Sequence, residues 1–360
     1  MTYVTLTTAN TPGAVAILQL HGEGVHQALE QLTGRSSWSD RRAHLVQFAD
    51  IDEGLAIRVD DATAQLMPHG GPRVVQRLLE HLTKQLGCTY DNAPDPMTLY
   101  PEARSPIEAD MLDAIAKAAS PAAIDLLAAQ PALWRGLLQQ AGGPDQAQRQ
   151  AIAGRSRILD RLITPPTVVV AGPANVGKST LTNALMGKTM SIVADLPGTT
   201  RDWVGGLVEL TASNDPRQAI AVNWLDTPGL RRSNDAIEQR AIALAKHQIE
   251  QADILIAMRD PDQTWLDRET LPREPDLFVV NKADDALRPE VSDGRSENQP
   301  LAISAEHHRN LGFLQAVIIQ RLGLDRLGSK PWAFTKKLLA WCEPGEQPSL
   351  SDYLNPISTA

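Results

Sequence analysis

One octapeptide limits the folding choices of this 360-residue chain more than any other stretch in it. Gly172-Pro173-Ala174-Asn175-Val176-Gly177-Lys178-Ser179 follows directly on the apolar run Thr167–Ala171 and precedes a helical run over residues 180–186. Strand, glycine-containing turn and helix, in that order, are what a phosphate-cradling loop requires. The glycines let the backbone curl until its N–H groups and the helix N-terminus face an anion. Lys178 adds a cation for β- and γ-phosphates, and Ser179 adds a hydroxyl for Mg²⁺.

The surrounding texture agrees with that loop. After Pro165-Pro166, short apolar runs at 167–171, 219–225, 254–258, 277–280 and 301–303 alternate with helical stretches. This alternation predicts an α/β fold, a doubly wound and mostly parallel sheet, over residues 164–325. Upstream, residues 1–92 mix strand-like runs at 14–20 and 55–59 with one amphipathic helix over 72–86, ended by Gly87, and read as a small α+β domain. Pro94, Pro96, Pro101 and Pro106 lead into Ala-, Leu- and Gln-rich sequence, so 93–163 reads as a short, irregular helical domain. Residues 326–360 form a tail, expected to pack on the helical domain.

Composition narrows the function classes. With 42% hydrophobic and 21% charged residues, global disorder is excluded. No window approaches 18 uninterrupted apolar residues, so the expectation is a cytoplasmic protein without a membrane anchor. Cys88 and Cys342 are too few for a disulfide framework or a multi-cysteine metal site. The net charge of −9, of which −6 lies in residues 164–325, argues against broad adhesion to nucleic-acid backbones.

Three further pieces follow the loop, each after its own apolar run. Asp226-Thr227-Pro228-Gly229 places a carboxylate where it can reach Mg²⁺ through water and a glycine where it can approach a γ-phosphate. Asn281-Lys282-Ala283-Asp284 puts Asp284 at a strand's C-terminal mouth, where its two oxygens can accept N1–H and N2–H₂ of guanine. Adenine would leave that carboxylate unpaired, so the residue discriminates GTP from ATP. Ser304-Ala305 can offer a backbone N–H to the guanine carbonyl. Each piece is weak alone; in order they describe a P-loop GTPase G domain. Asn175, Val176, Gly177, Lys178, Ser179, Thr180, Asp226, Gly229, Asn281, Lys282, Asp284, Ser304 and Ala305 form its expected GTP/GDP site.

Between the loop and Asp226 lies Asp195-Leu196-Pro197-Gly198-Thr199-Thr200-Arg201-Asp202, at the position of a first switch, with Thr200 placed to add a Mg²⁺ ligand beside Ser179. Leu230 follows Gly229 where many G domains carry a water-orienting glutamine. Asn175 in the loop, Gly198 to Asp202 and the pair Leu230-Arg231 make the chain resemble the MnmE/TrmE family of tRNA-modification GTPases. That resemblance implies K⁺ held by Asn175 and residues 193–200, in place of an arginine finger, with G domains dimerising across their nucleotides. It also implies a water-orienting glutamate twelve residues past Asp226, which is Glu238. Lys178, Thr200 and Glu238 are thus the expected catalytic set.

Residues 14–22 and His69-Gly70-Gly71-Pro72 resemble the family's N-terminal domain, although the latter also reads as a plain turn and helix start. The resemblance implies formyl-tetrahydrofolate binding there, and partnership with an MnmG-like flavoprotein on tRNA. Against folate stands Gln19, where the family usually has Arg, and an unrecognisable acidic segment before His69. In place of the family's Cys-x-Gly-Lys, the late cysteine reads Cys342-Glu343-Pro344-Gly345, and a buried hydrophobe is the simpler reading of that thiol. Trp332, Phe334, Lys336 and Lys337 read either as an RNA-stacking surface or as a packed amphipathic helix. Two roles remain open on sequence: wobble-uridine modification, or a diverged regulatory switch that binds RNA or a ribosomal particle.

Overall fold

The computed structural model describes residues 1–8, 13–140, 143–186, 204–213, 215–227, 236–283, 294–345 and 349–355, apart from the side chains of 204, 236–242 and 268. Two compact units emerge, Met1–Asp113 with Ser349–Ala360, and Ala114–Pro348.

The first unit holds a six-stranded sheet of β1 (Thr2–Leu6), β2 (Leu18–Gly22), β3 (Ala43–Phe48), β4 (Asp52–Asp60), β5 (Thr63–Met67) and β6 (Thr89–Tyr90), in the order β3-β4-β5-β2-β1-β6. Every pairing is antiparallel except β1 with β6. Alternate residues Val46, Phe48, Ala56, Leu66, Leu18, Leu20 and Val4 turn to one side and bury against the helices Val25–Thr33 and Pro72–Lys84. The second helix starts with Pro72 at its first position, where the missing N–H costs nothing. β2 begins later than the apolar run because residues 13–16 pair elsewhere. Ala16 N–H donates to Pro68 O, and the Gly13 and Gly70 backbones exchange contacts with 70 and 14. A Cβ on Gly70 would press into the Gly13 backbone, so this crossing needs glycine. The short helix Ser351–Leu354 joins this unit through Tyr353 OH, which donates to Asp110 at 2.6 Å.

The second unit is built on β7 (Thr167–Ala171), β8 (Val204–Leu210), β9 (Ile220–Asp226), β10 (Ile254–Arg259), β11 (Leu277–Val280) and β12 (Leu301–Ala302), in the order β12-β11-β10-β7-β9-β8. All neighbours are parallel except β8 with β9. Both faces are covered. Val169, Ala171, Leu225 and Leu255 pack on Ala245 and Ile249 of the helix Ala236–Gln251, while Trp224 on the other face donates to Thr182 of the helix Lys178–Met186 at 3.1 Å. A sheet buried on both faces reads as continuous apolar runs, which is why these strands were plain in the sequence.

Short helices Ala122–Ala128, Gln130–Leu138 and Gln146–Ser156 belong to the same unit. Ala122 N–H donates to Ala219 O and Ala221 N–H to Ser120 Oγ, fastening them beside β9. Residues 330–342 close over them. Trp134 Nε1–H donates to Trp332 O at 2.8 Å, Trp332 N–H to Gln130 Oε1 at 2.7 Å, and Trp341 meets Trp134 edge-on. Trp332 and Trp341 are buried, with Arg155 and Arg149 stacked over their rings. This stretch therefore packs, and its indole rings present no stacking surface to RNA. Residues 93–113 and 349–360 fall in the first unit, and 114–163 and 326–348 in the second. No helix among the described residues is long and apolar enough to cross a membrane.

Candidate nucleotide site

Parallel sheets present ligand sites at the carboxyl ends of their strands, and all the described candidate residues gather there. The loop leaves β7 at Gly172, whose Cβ, if it had one, would overlap the Met258 carbonyl of β10. Asn175 adopts φ +64° and Gly177 φ +91°, so the turn relies on one residue that tolerates the left-handed region and one that prefers it. A side chain at Gly177 would also strike the Asn281 amide, which ties the loop's second glycine to the later motif.

Lys178 is buried, and its Nζ donates to the carbonyls of Gly172 at 3.1 Å and Pro173 at 3.0 Å. Burial lowers its pKa, and the charge of Asp226 opposes that shift. An arriving phosphate offers this ammonium oxygens in exchange for the two carbonyls. Ser179 Oγ–H donates to Asp226 Oδ2 at 2.7 Å. Asp226 Oδ1 is buried with no hydrogen-bond partner among the described residues. Burial pushes the Asp226 carboxyl up, partly offset by the Ser179 hydrogen bond and the Lys178 charge. A buried, orphaned carboxylate oxygen beside a serine hydroxyl is a hard-oxygen pair, and it fits Mg²⁺ held partly through water and phosphate.

The base-side motif is wired into the loop. Asn281, buried at the end of β11, donates Nδ2–H to Val176 O at 3.0 Å and accepts Ala305 N–H on Oδ1 at 2.9 Å. Lys282, at φ +59°, donates Nζ–H to Asn175 O at 2.7 Å and to Asp260 Oδ2 at 3.0 Å. Ser304 is buried and its N–H donates to Arg309 O, so both backbone donors of the Ser304-Ala305 pair have protein acceptors, which a guanine carbonyl would share or displace. Thr180 is exposed at the first turn of the loop helix. The structure thus brings together Asn175, Val176, Gly177, Lys178, Ser179, Asp226, Asn281, Lys282, Ser304 and Ala305. Thr200, Gly229, Asp284 and residues 193–200 lie outside the described residues, and Glu238 lies in the helix Ala236–Gln251 with its side chain outside them.

Sequence reading missed two members of this network, Asp260 and Gln263. Gln263 Nε2–H donates to Ala174 O at 3.3 Å, and Asp260 is buried directly after β10. The signal was a carboxylate at the carboxyl end of a parallel strand adjoining the loop strand.

In the first unit, Gln19 is fully buried. Its Nε2–H donates to Thr98 O and its Oε1 accepts from Gln65 Nε2 at 3.1 Å. His69 is locked by Asp52, whose carboxylate takes its N–H and its Nδ1, both at 2.9 Å. Burial raises Asp52, yet those hydrogen bonds outweigh it and hold the carboxyl below its usual range.

The family described as 50S ribosome-binding GTPase matches residues 167–282. The tRNA modification GTPase MnmE of Acidiphilium cryptum is 31% identical over 86% of this chain and 79% of its own. That of Nitrosomonas europaea is 27% identical over the same shares. A solved structure of Aquifex aeolicus Era bound to GDP and aluminium fluoride is 27% identical, covering 43% of this chain and 55% of its own at a TM-score of 0.31. A loop, a buried half-partnered carboxylate and a buried asparagine joined at the carboxyl ends of one sheet's strands, together with likeness running through most of both chains, place this protein in the MnmE family, and it is a GTPase.

Proposed function

We propose that this GTPase acts in tRNA wobble-uridine modification, coupling GTP hydrolysis to K⁺-stimulated pairing of its G domains. The observation that carries the reading is the bonded set Lys178, Ser179, Asp226 and Asn281, found on a chain related to MnmE over most of its length. In this reading Lys178 binds the β- and γ-phosphates, and Ser179, Thr200 and Asp226 hold Mg²⁺ directly or through water. Asn175 holds K⁺, Glu238 orients the attacking water, and Asp284 reads guanine. When bound, Mg²⁺ neutralises charge that develops on the transferring phosphoryl group. The chain's own contribution is to orient the phosphates on loop N–H groups and, through Ser179 and Lys178, to offset part of the burial penalty on the Asp226 carboxylate. Residues 1–92, 93–163, 164–325 and 326–360 would be its functional segments, with an MnmG-like flavoprotein and tRNA as partners in the cytoplasm.

One observation favours a second reading. Both ends of the Gln19 amide are engaged inside the protein, and this fully buried, neutral side chain offers no charge to formyl-tetrahydrofolate. A switch that binds RNA or a ribosomal particle without uridine chemistry needs no folate. GTP turnover measured against protein concentration, in matched K⁺ and Na⁺ buffers with Mg²⁺, separates the two. A steep rise in K⁺ alone is expected from dimerising G domains, whereas slow, cation-blind turnover would favour the switch. Glu238→Ala should lower hydrolysis by about a hundredfold while GTP affinity stays unchanged.

A further inference from the structure

We infer that Asp260 and Gln263, in the turn after β10, are positioning residues for the nucleotide, aligning the base-side Lys282 with the phosphate-loop backbone. Neither residue belongs to the loop, the switches or the base-reading motif. Asp260 is a carboxylate with only 7% of its side chain exposed, a costly placement unless its charge is matched. It is matched by donors that serve the loop. Oδ2 accepts from Lys282 Nζ at 3.0 Å and from Gln263 Nε2 at 3.4 Å. The same Lys282 nitrogen also donates to Asn175 O at 2.7 Å, and the same Gln263 nitrogen to Ala174 O at 3.3 Å. One carboxylate oxygen therefore holds two donors, and each donor holds one of two consecutive loop carbonyls.

The turn that carries the carboxylate is itself fastened. Asp262 N–H donates to Asp260 Oδ1 at 3.2 Å. Arg259 Nη1 donates to the carbonyls of Asp260, Pro261 and Gln263, and its guanidinium stacks on Trp265 at 4.9 Å from the ring centroid. A lysine side chain is long and rotationally free, so an anchored anion fixes where its ammonium sits. The peptide it then holds belongs to Asn175, whose left-handed backbone has to be kept in place by its surroundings. Asp260 thus presets the loop conformation that receives phosphates, lowering what nucleotide binding must spend on ordering.

This inference rests on the loop being the nucleotide site, and it concerns affinity, not the chemical step. The test compares full-length wild type with Asp260→Asn, alone and in a Lys282→Met background, by GDP titration calorimetry and steady-state GTP hydrolysis. Asp260→Asn should raise the GDP Kd and GTP KM about tenfold, the scale of one charge-assisted hydrogen bond, with kcat within about twofold. In the Lys282→Met background the same change should be at most about threefold, the part carried by Gln263, since the route through Lys282 is already gone. A purely structural role would raise Kd equally in both backgrounds, and that result, or an unchanged Kd in a folded Asp260→Asn chain, overturns the inference. If Asp260→Asn does not fold, Gln263→Leu in the half-buried turn replaces it, with a rise in Kd of about threefold expected and no rise overturning the proposal. Failure of wild type to bind GDP would instead remove the underlying nucleotide reading.

Discussion

In the N-terminal sheet, the amide of Gln19 is fully buried and engaged at both ends, by Thr98 and by Gln65. In the parallel sheet, Asp226 is 6% exposed and one of its two oxygens has no partner among the described residues. The contrast teaches how to tell a structural polar group from one that awaits a ligand. A neutral amide bonded at both its oxygen and its nitrogen adds uniqueness to a core; a half-satisfied buried carboxylate costs stability and persists where a cation can complete it. The first sheet has atoms without a partner among the described residues too, His21 Nδ1 and His44 Nε2, but a neutral ring nitrogen carries no charge to be repaid. Burial lowers the His21 pKa more than the neighbouring Asp91 raises it.

Replacing Lys178 with Ala is the harshest way to break the comparison. It should weaken GTP and GDP binding by about a hundredfold, measured by calorimetry, because a buried charge-assisted contact to phosphate disappears. Asp226→Asn sharpens the contrast instead. It should raise the melting temperature of the nucleotide-free chain by about 2 °C, the scale of one relieved buried polar penalty, while lowering Mg²⁺-dependent hydrolysis. The pH dependence gives the sign. A folded carboxyl pushed above its unfolded value of 3.8 is penalised only when ionised, so the gain over wild type should be full above the raised pKa. It should fade as pH falls through the raised pKa, vanishing below 3.8.

Gln19→Ala probes the other side. It strands the Thr98 carbonyl and the Gln65 amide, and should destabilise the first unit by about 1–3 kcal/mol in urea unfolding without changing GDP affinity. A matching loss of GDP affinity would erase the distinction drawn between the two sheets. The smallest effect concerns Cys342, whose thiol is pushed up to about 11 by burial, against the nearby positive charge of Arg155 and Arg149. Its alkylation at pH 8, mapped by mass spectrometry, should be slower in the native chain than in the unfolded chain by about a hundredfold or more, because little thiolate forms.

The parallel sheet was more legible than the antiparallel one for a physical reason. β7, β9, β10 and β11 are buried on both faces and read as nearly continuous apolar runs, interrupted within β9 only by Asn223. β3 buries only Val46 and Phe48 and β4 only Ala56, and β2 is shortened because residues 13–16 pair with 68–70, an arrangement invisible to a scan for periodicity. Trp332 and Trp341 left two readings open in sequence because an amphipathic stretch has the same pattern whether its partner is an internal helix or RNA. Only contact with Trp134, Gln130 and Ser156 decides between them.

What the chain by itself determined was local and contiguous: a strand, a glycine-bearing loop and a helix in order, followed by short motifs that each end an apolar run. These follow from backbone sterics, period and the chemistry of neighbouring residues, which a sequence displays directly. Tertiary structure decided what depends on residues far apart in the chain. It set Lys282 between Asn175 and Asp260, left one oxygen of Asp226 without a partner among the described residues, and distributed the helical segments over two units. Those outcomes depend on which surfaces meet when the cores close, and the free energy of closing a core is shared among many side chains that no short motif records.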